Sequence, residues 1–333
     1  MPRFTPDQNR RAIQIMGLKG LRDYSARRKA FFVCCFHSAD HTPSLSVNFE
    51  KGLFYCFGCG ESGKISDLIW RQTHVSMTNL LGLGKEDLDK LVKRDEEVTL
   101  RKIVPVDRDL DIRGVLVPFN VSEIAKGYLS KRSIALSIAN KMNMKYTEEA
   151  YISGANVVED KTYFKKRLMI PVYNDKGQMI NIEGRDVTFE QQKKCLYPIG
   201  GKKVLYEWYK LDKNRPLFVV EGLIKLAVLR SDSFFENSST TMGNMISPLQ
   251  IEQLNLFKEI VIIPDNDKGG VAMIGFFQDV LNTRISVFRI VDPTGTIKDV
   301  DEIPKKSGKS IEQFRLSGGF RLEKTIEGEM TNV

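Results

Sequence analysis

The chain has 333 residues with 50 Lys and Arg against 42 Asp and Glu, a formal charge of +8, and 42% hydrophobic residues. This length suits two or three domains with ordinary cores, and no apolar run approaches the ~18 residues a membrane span needs. The opening "MPRFTPDQNRRAIQIMG" lacks the apolar segment of a secretory signal, so a soluble, cytoplasmic protein is expected, with a basic excess that suits a polyanionic partner but does not demand one.

The first feature along the chain is "CCFHSADHTPSLSVNFEKGLFYCFGCGESG". Cys34-x₂-His37 is followed after eighteen residues by Cys56-x₂-Cys59. Two chelating pairs at this separation suit a tetrahedral structural zinc, each x₂ spacing gripping the ion from one tight turn. Cys35 is an alternative to Cys34, but only Cys34 has the x₂ spacing to His37. Buried free cysteines beside a surface histidine are the competing reading, and the paired spacing favours zinc over it. A closed site of this kind says "ribbon", not "reaction".

A helical stretch, "SDLIWRQTHVSMTNLLGL", comes next. The charge-dense, poorly periodic residues 84–113 read as part solvated helix and part linker. Helical pattern returns in "VSEIAKGYLSKRSIALSIANKMN". Then "RLMIPVYN", the turn Asp175-Lys176-Gly177 and "QMINIEGRDV" read as a hairpin. From Asp160 to Lys210 there are eleven basic and six acidic residues, a local excess of five.

From Pro216 strands and helices alternate: "PLFVVEG", "LIKLAVLRS", "KEIVIIPDND", "GVAMIGFFQDVLN", "RISVFRIVD". That alternation implies an α/β unit with a parallel sheet, whose ligands gather beyond the carboxyl ends of the strands. Glu221 ends one strand and Asp265 and Asp267 end the next, while "KDVDE" adds Asp299 and Asp301 after a third. Alternate residues of an extended segment point the same way, so each Asp pair can converge. Hard carboxylate oxygens suit Mg²⁺ or Mn²⁺. The competing reading is that these aspartates cap turns. Three strand ends carrying such groups favour a divalent cation.

Taken together, these segments resemble the bacterial DnaG-type DNA primases. "CCFHSADHTPSLSV…FYCFGCGESGKISDLI" resembles that family's CHC2 zinc-binding domain, with Cys35 in place of the usual proline. "YLSKRSIALSIANKMNMKY", "RLMIPVYNDKGQMINIEGRDV", "KKCLYPIG" and "VLYEWYKL" resemble the RNA polymerase core. "FVVEG", "MGN", "IIPDNDKGG" and "KDVDE" resemble its toprim module. The likeness is collinear over residues 20–315.

The resemblance implies an α+β multidomain protein. A CHC2-type zinc-binding domain would span 1–95 and a linker 96–113. A mixed α+β basic subdomain of the primase core would span 114–213. An α/β toprim subdomain with a parallel sheet would span 214–310, and a C-terminal helix and tail 311–333. It implies one structural Zn²⁺ on Cys34, His37, Cys56 and Cys59, and catalytic Mg²⁺ or Mn²⁺ on Glu221, Asp265, Asp267, Asp299 and Asp301. Glu221 is also a candidate general base. Arg132, Arg167, Arg185 and Lys194 match basic positions lining the template and nucleotide groove, where guanidinium forks suit phosphate oxygens.

The implied activity is synthesis of short RNA primers on single-stranded DNA from ribonucleoside triphosphates, by a monomer, with a replicative helicase or other replisome protein as a further partner. Three departures stand out. Lys225 replaces the usual Asp four residues after the toprim Glu. Asn244 follows Gly243 where Thr is usual. Ser133 replaces the usual Gly after the basic pair. The chain also stops soon after the toprim module, as compact phage or plasmid-borne primases do. A weak or inactive primase-like DNA-binding protein is the alternative, favoured by Lys225. A toprim topoisomerase or nuclease fits less well, because the zinc ribbon and the "RLMIPV…EGRD" block speak for primase.

Overall fold

The computed structural model describes residues 4–18, 22–24, 29–36, 43–58, 60–73, 76–82, 109–153, 161–198, 201–243, 246–281 and 283–326. It separates into two compact units, Met1–Val106 and Asp107–Val333.

The N-terminal unit begins with α1 (Pro6–Met16), whose start is set by a Thr5/Gln8 capping box. Five short strands follow: β1 (Arg22–Tyr24), β2 (Lys29–Phe32), β3 (Leu45–Asn48), β4 (Leu53–Cys56) and β5 (Ser62–Lys64). Each pairs antiparallel with the next. Helices α2 (Ile65–Thr73) and α3 (Met77–Gly82) follow. Ala12, Ile13, Phe32, Leu45, Val47, Phe54, Leu68 and Ile69 form its core. In β4 the two-residue alternation turns Leu53 and Tyr55 outward and Phe54 and Cys56 inward.

The C-terminal unit holds two sheets. The antiparallel one contains β6 (Asp111–Gly114), β7 (Val117–Pro118), β8 (Lys145–Ser153), β9 (Thr162–Tyr173), β10 (Met179–Asp186) and β11 (Cys195–Leu196), in the order β11-β10-β9-β8-β6 with β7 also on β8. Residues 111–113, expected at the end of a linker, are therefore part of a strand of this sheet. The expected helical segment after β7 is two helices, α4 (Glu123–Lys131) and α5 (Leu136–Lys141). They break at Ser133, whose φ of 54° lies in the left-handed region that glycine adopts without strain.

The second sheet runs β13-β12-β14-β15-β16. Its strands are β12 (Leu217–Val220), β13 (Ser238–Thr240), β14 (Glu259–Ile262), β15 (Arg284–Ile290) and β16 (Phe320–Ile326). The first four in this order are mutually parallel and β16 is antiparallel at the edge. Residues 311–326, expected as a helix and the start of a tail, are thus a helix and a strand. Helices α6 (Leu223–Leu229), α7 (Pro248–Leu254), α8 (Lys268–Val280), α9 (Ile303–Ser307) and α10 (Ile311–Leu316) complete the unit. One buried cluster runs from Phe119 and Tyr128 through Leu168 and Val220 to Phe314 and Phe320. The basic and α/β parts share this core, so the loops of one are held against the strand ends of the other.

Candidate catalytic centre and nucleic-acid face

The carboxyl ends of β12 and β14 and the loop after β15 meet at one point. Glu221 leaves β12, and α6 starts two residues later, which places Lys225 one turn on, on the same side. The Lys225 Nζ donates to Asp265, lies 3.6 Å from a Glu221 carboxylate oxygen and 4.0 Å from one of Asp299. Asn266 ties the two aspartate loops together. Its amide donates to the Lys298 carbonyl at 2.6 Å, and its side chain reaches the Ile290 and Ile297 carbonyls. Gly270 lets α8 start against this loop. A Cβ there would lie 2.0 Å from the Asp265 carbonyl oxygen. Gly243, at φ 119°, donates its amide to the Glu221 carbonyl at 2.7 Å.

Two aspartates also carry local duties. Asp267 caps α8 through the Gly270 amide at 2.9 Å, and Asp299 accepts from the Glu302 amide at 3.2 Å. Each leaves further lone pairs free for a cation. Burial pushes the Asp265 carboxyl up to about 6 against the pull of Lys225, with Glu221 adding to the rise. Burial likewise raises Asp299. For Lys225, burial is outweighed by Asp265, Glu221 and Asp299, which together raise it. Three carboxylates share one ammonium, so all of these shifts run toward holding protons: the centre is short of positive charge. Carboxylate oxygens are the donor type a hard divalent cation takes, and here the Lys225 ammonium holds the space between them; among the described residues no group of three or more is spaced to bind a metal ion as it stands.

Asp301 does not join this set. Its carboxylate, 5% exposed, is paired with Arg132 and has Lys305 at 3.8 Å. Arg132 in turn lies 5.3 Å from the centre of the Tyr128 ring, and the Tyr128 hydroxyl accepts from Arg185 Nε at 3.0 Å. Arg185 also donates to the Cys195 sulfur at 2.8 Å. Arg132 and Arg185 are therefore brought together on one tyrosine, with the Arg132 charge taken up by Asp301. Arg167 is not on it. It is 2% exposed and donates to the Gly184, Lys193 and Lys194 carbonyls and to Gln191. It braces the loop that presents Lys194, whose own side chain is exposed.

The sequence reading passed over three residues. Lys203 faces Glu221, with burial pushing its ammonium down to about 8 against the pull of that carboxylate. Lys305 lies among Arg132, Asp299 and Arg185, lowered mainly by burial. Phe189, exposed and at φ 62°, packs its ring 5.7 Å from Tyr128, with the Lys131 ammonium 5.9 Å from its centre. An exposed aromatic beside basic groups suits a nucleobase, but nothing in its local sequence marks it.

In the N-terminal unit, the amides of Phe36 and Gly58 point at the sulfurs of Cys34 and Cys56, at 3.4 and 3.3 Å. Both sulfurs are two residues before the donor in a turn, an arrangement that stabilises metal-bound thiolates. Both cysteines are buried and neither is in a disulfide. His37 and Cys59 lie outside the described residues. The two described donors fit a zinc knuckle.

Residues 19–97 match the CHC2 zinc finger family. The DNA primase of Thermotoga maritima is 27% identical over 324 residues, 87% of this chain and 57% of that protein. The DNA primase of Aquifex aeolicus is 27% identical over 341 residues, 90% and 66% of the two chains.

The chain is similar to bacterial DNA primases along most of its length.

It spans about half to two thirds of the length of the curated primases it matches, from 48% for one from Helicobacter pylori to 67% for that of Borreliella burgdorferi. Among solved structures it is similar to the zinc-binding and RNA polymerase domains of the Aquifex aeolicus primase, with a TM-score of 0.44 at 19% identity over 96% of this chain and 87% of that one. It is also similar to a DnaG primase catalytic domain bound to ssDNA, with a TM-score of 0.44 at 19% identity over 60% and 72%. Among its described residues, no helix is long and apolar enough to cross a membrane.

Proposed function

We propose that the chain is a DNA primase that polymerises ribonucleotides into short primers on single-stranded DNA in the cytoplasm. The observation that carries this reading is the convergence of Glu221, Asp265 and Asp299 from three strand ends on one point, in a chain whose relatives are DNA primases along most of its length.

Cys34, His37, Cys56 and Cys59 hold one structural zinc. Glu221, Asp265, Asp267 and Asp299 hold Mg²⁺ or Mn²⁺, which when bound offsets the negative charge that builds on a reacting triphosphate. Asp301 belongs to the Arg132 pair and is left out of that set. In the reaction, the primer 3′-oxygen forms a bond to the α-phosphorus, the α–β anhydride breaks and pyrophosphate leaves. Glu221 takes the hydroxyl proton. Lys203, beside it, and Lys305 present ammonium donors to triphosphate oxygens. Arg185, Lys194 and Phe189 form the face for template backbone and bases.

De novo synthesis tests this. Chain, single-stranded DNA, four ribonucleotides with one labelled, and Mg²⁺ or Mn²⁺ are compared with an Asp265→Ala/Asp267→Ala variant. Short labelled oligomers from the unsubstituted chain alone are expected. DNA binding without product on varied templates, from zinc-loaded protein, would instead support the second reading, a primase-like binding protein. The observation that favours it is the Lys225 ammonium among the carboxylates.

A further inference from the structure

The Lys225 side chain is already where a cation would sit. It contacts Asp265, Glu221 and Asp299, carboxylates from three separate segments of the sheet. It is also held there. Leu223, Ile224, Leu226, Ala227, Val228 and Leu229, every other residue of α6, are buried in the unit's main core. The helix cannot turn Lys225 away without exposing that face, and the side chain itself is only 16% exposed.

Charge counting gives the consequence. Glu221, Asp265 and Asp299, the carboxylates around the ammonium, supply three negative charges, so without Lys225 one divalent ion leaves minus one and a second is still attracted. With the ammonium present the sum is minus two, which one divalent ion neutralises. A second ion would also have to enter beside an ammonium at a few ångströms in a half-buried site, where repulsion is poorly screened.

We propose that Lys225 is a tethered counter-cation that takes one cation position of this cluster, so that the chain binds one divalent ion there instead of two. This rests on the reading of the cluster as a divalent-ion site, not on primer synthesis. The residue is a positioning group: it holds the three carboxylates together before any ion arrives and sets how many ions they accept.

The test counts ions on the full-length, zinc-loaded chain. Mn²⁺ is titrated and the free ion is read by electron paramagnetic resonance. Asp265→Ala/Asp267→Ala identifies the ions that belong to the cluster, and circular dichroism checks each variant's fold. One cluster ion is expected for the unsubstituted chain and for Lys225→Arg. For Lys225→Gln, two are expected, with the first bound at least about tenfold tighter. Two cluster ions in the unsubstituted chain would overturn the proposal, since the ammonium would then be displaced. So would the same count and affinity, within twofold, in Lys225→Gln. If Lys225→Gln does not fold, two ions on Lys225→Arg or on the unsubstituted chain still refute it. No cluster ion in any variant overturns both this inference and the reading of the cluster as a metal site. One ion on the unsubstituted chain and two on Lys225→Gln, without primers, sustains the inference while the primase reading fails.

Discussion

Arg132 and Asp301 neutralise each other inside the C-terminal unit. From sequence, one was expected on template phosphates and the other on a metal ion. Instead their side chains, 18% and 5% exposed, form an ion pair between α4 and the turn before α9. The pair joins the basic face to the carboxylate centre, and it has a measurable cost when broken. Removing one partner of a buried pair leaves the other charge stranded, at about 3–5 kcal/mol. Asp301→Ala is expected near the upper end, because it leaves Arg132 unpaired. Arg132→Ala is expected lower, because Lys305 stays 3.8 Å from Asp301. Urea unfolding followed through Trp208, in a Trp70→Phe background, reads both. The double variant should cost clearly less than the two losses added together.

Asp265 makes stability depend on pH in the metal-free chain. Its carboxyl is raised from 3.8 to about 6 in the folded state. Its contribution is therefore fully present below pH about 4, where folded and unfolded chains both hold the proton, and is lost as pH rises through about 6. Stability relative to Asp265→Asn should fall across that window by about 1–2 kcal/mol, allowing for solvent screening. Urea midpoints at pH 4, 5, 6 and 7, with a chelator selective for Mg²⁺ and Mn²⁺, give the difference. A flat difference between the two proteins would contradict the assignment.

Gly270→Ala should damage the centre without touching a charge. The new Cβ would fall 2.0 Å from the Asp265 carbonyl, so the loop must move. Overpacking of this kind costs about 1–3 kcal/mol. Mn²⁺ affinity should fall together with the melting temperature, whereas Gly275→Ala, inside the same helix with open space around its Cβ, should leave Mn²⁺ affinity unchanged and raise the melting temperature slightly.

Arg167 and Lys194 should separate structure from binding. Arg167→Met strips four hydrogen bonds from the 184–194 segment and should lower stability by about 2–4 kcal/mol. Lys194→Ala should leave stability alone and reduce the slope of log affinity for single-stranded DNA against log salt by about 1. A Lys194→Ala slope equal to that of the unsubstituted chain would remove Lys194 from the DNA face.

Zinc removal should act on the N-terminal unit. Its core is small and includes Cys34 and Cys56 themselves, so folding and metal binding are coupled. Cys56→Ser, or a strong chelator, should lose zinc by elemental analysis and quench the Trp70 signal change on unfolding, while the Trp208 transition stays in place.

Much of this was legible along the chain. The strand–helix alternation after Pro216 gives a parallel sheet because apolar runs of four or so residues between helices can be buried on both faces only that way. The x₂ spacings place two sulfurs at turns because a turn is a local structure. The convergence of Glu221 with Asp265 and Asp299 follows from where strands end. What was hidden depended on partners distant in sequence. Arg167 reads as a groove residue until β9 pairs with β10 and closes the 186–194 loop over it. The left-handed Ser133 splits one helical pattern into two. The C-terminal tail, polar in composition, becomes an edge strand because β15 offers an open side. Sequence by itself determined the types of chemistry this protein can hold: thiolates for zinc, carboxylates for a hard cation, guanidinium groups for phosphates. Only the tertiary structure decided which charges face a ligand and which face each other. Opposite charges brought together in a water-poor interior satisfy one another first, and that choice is made by packing, which no local pattern encodes.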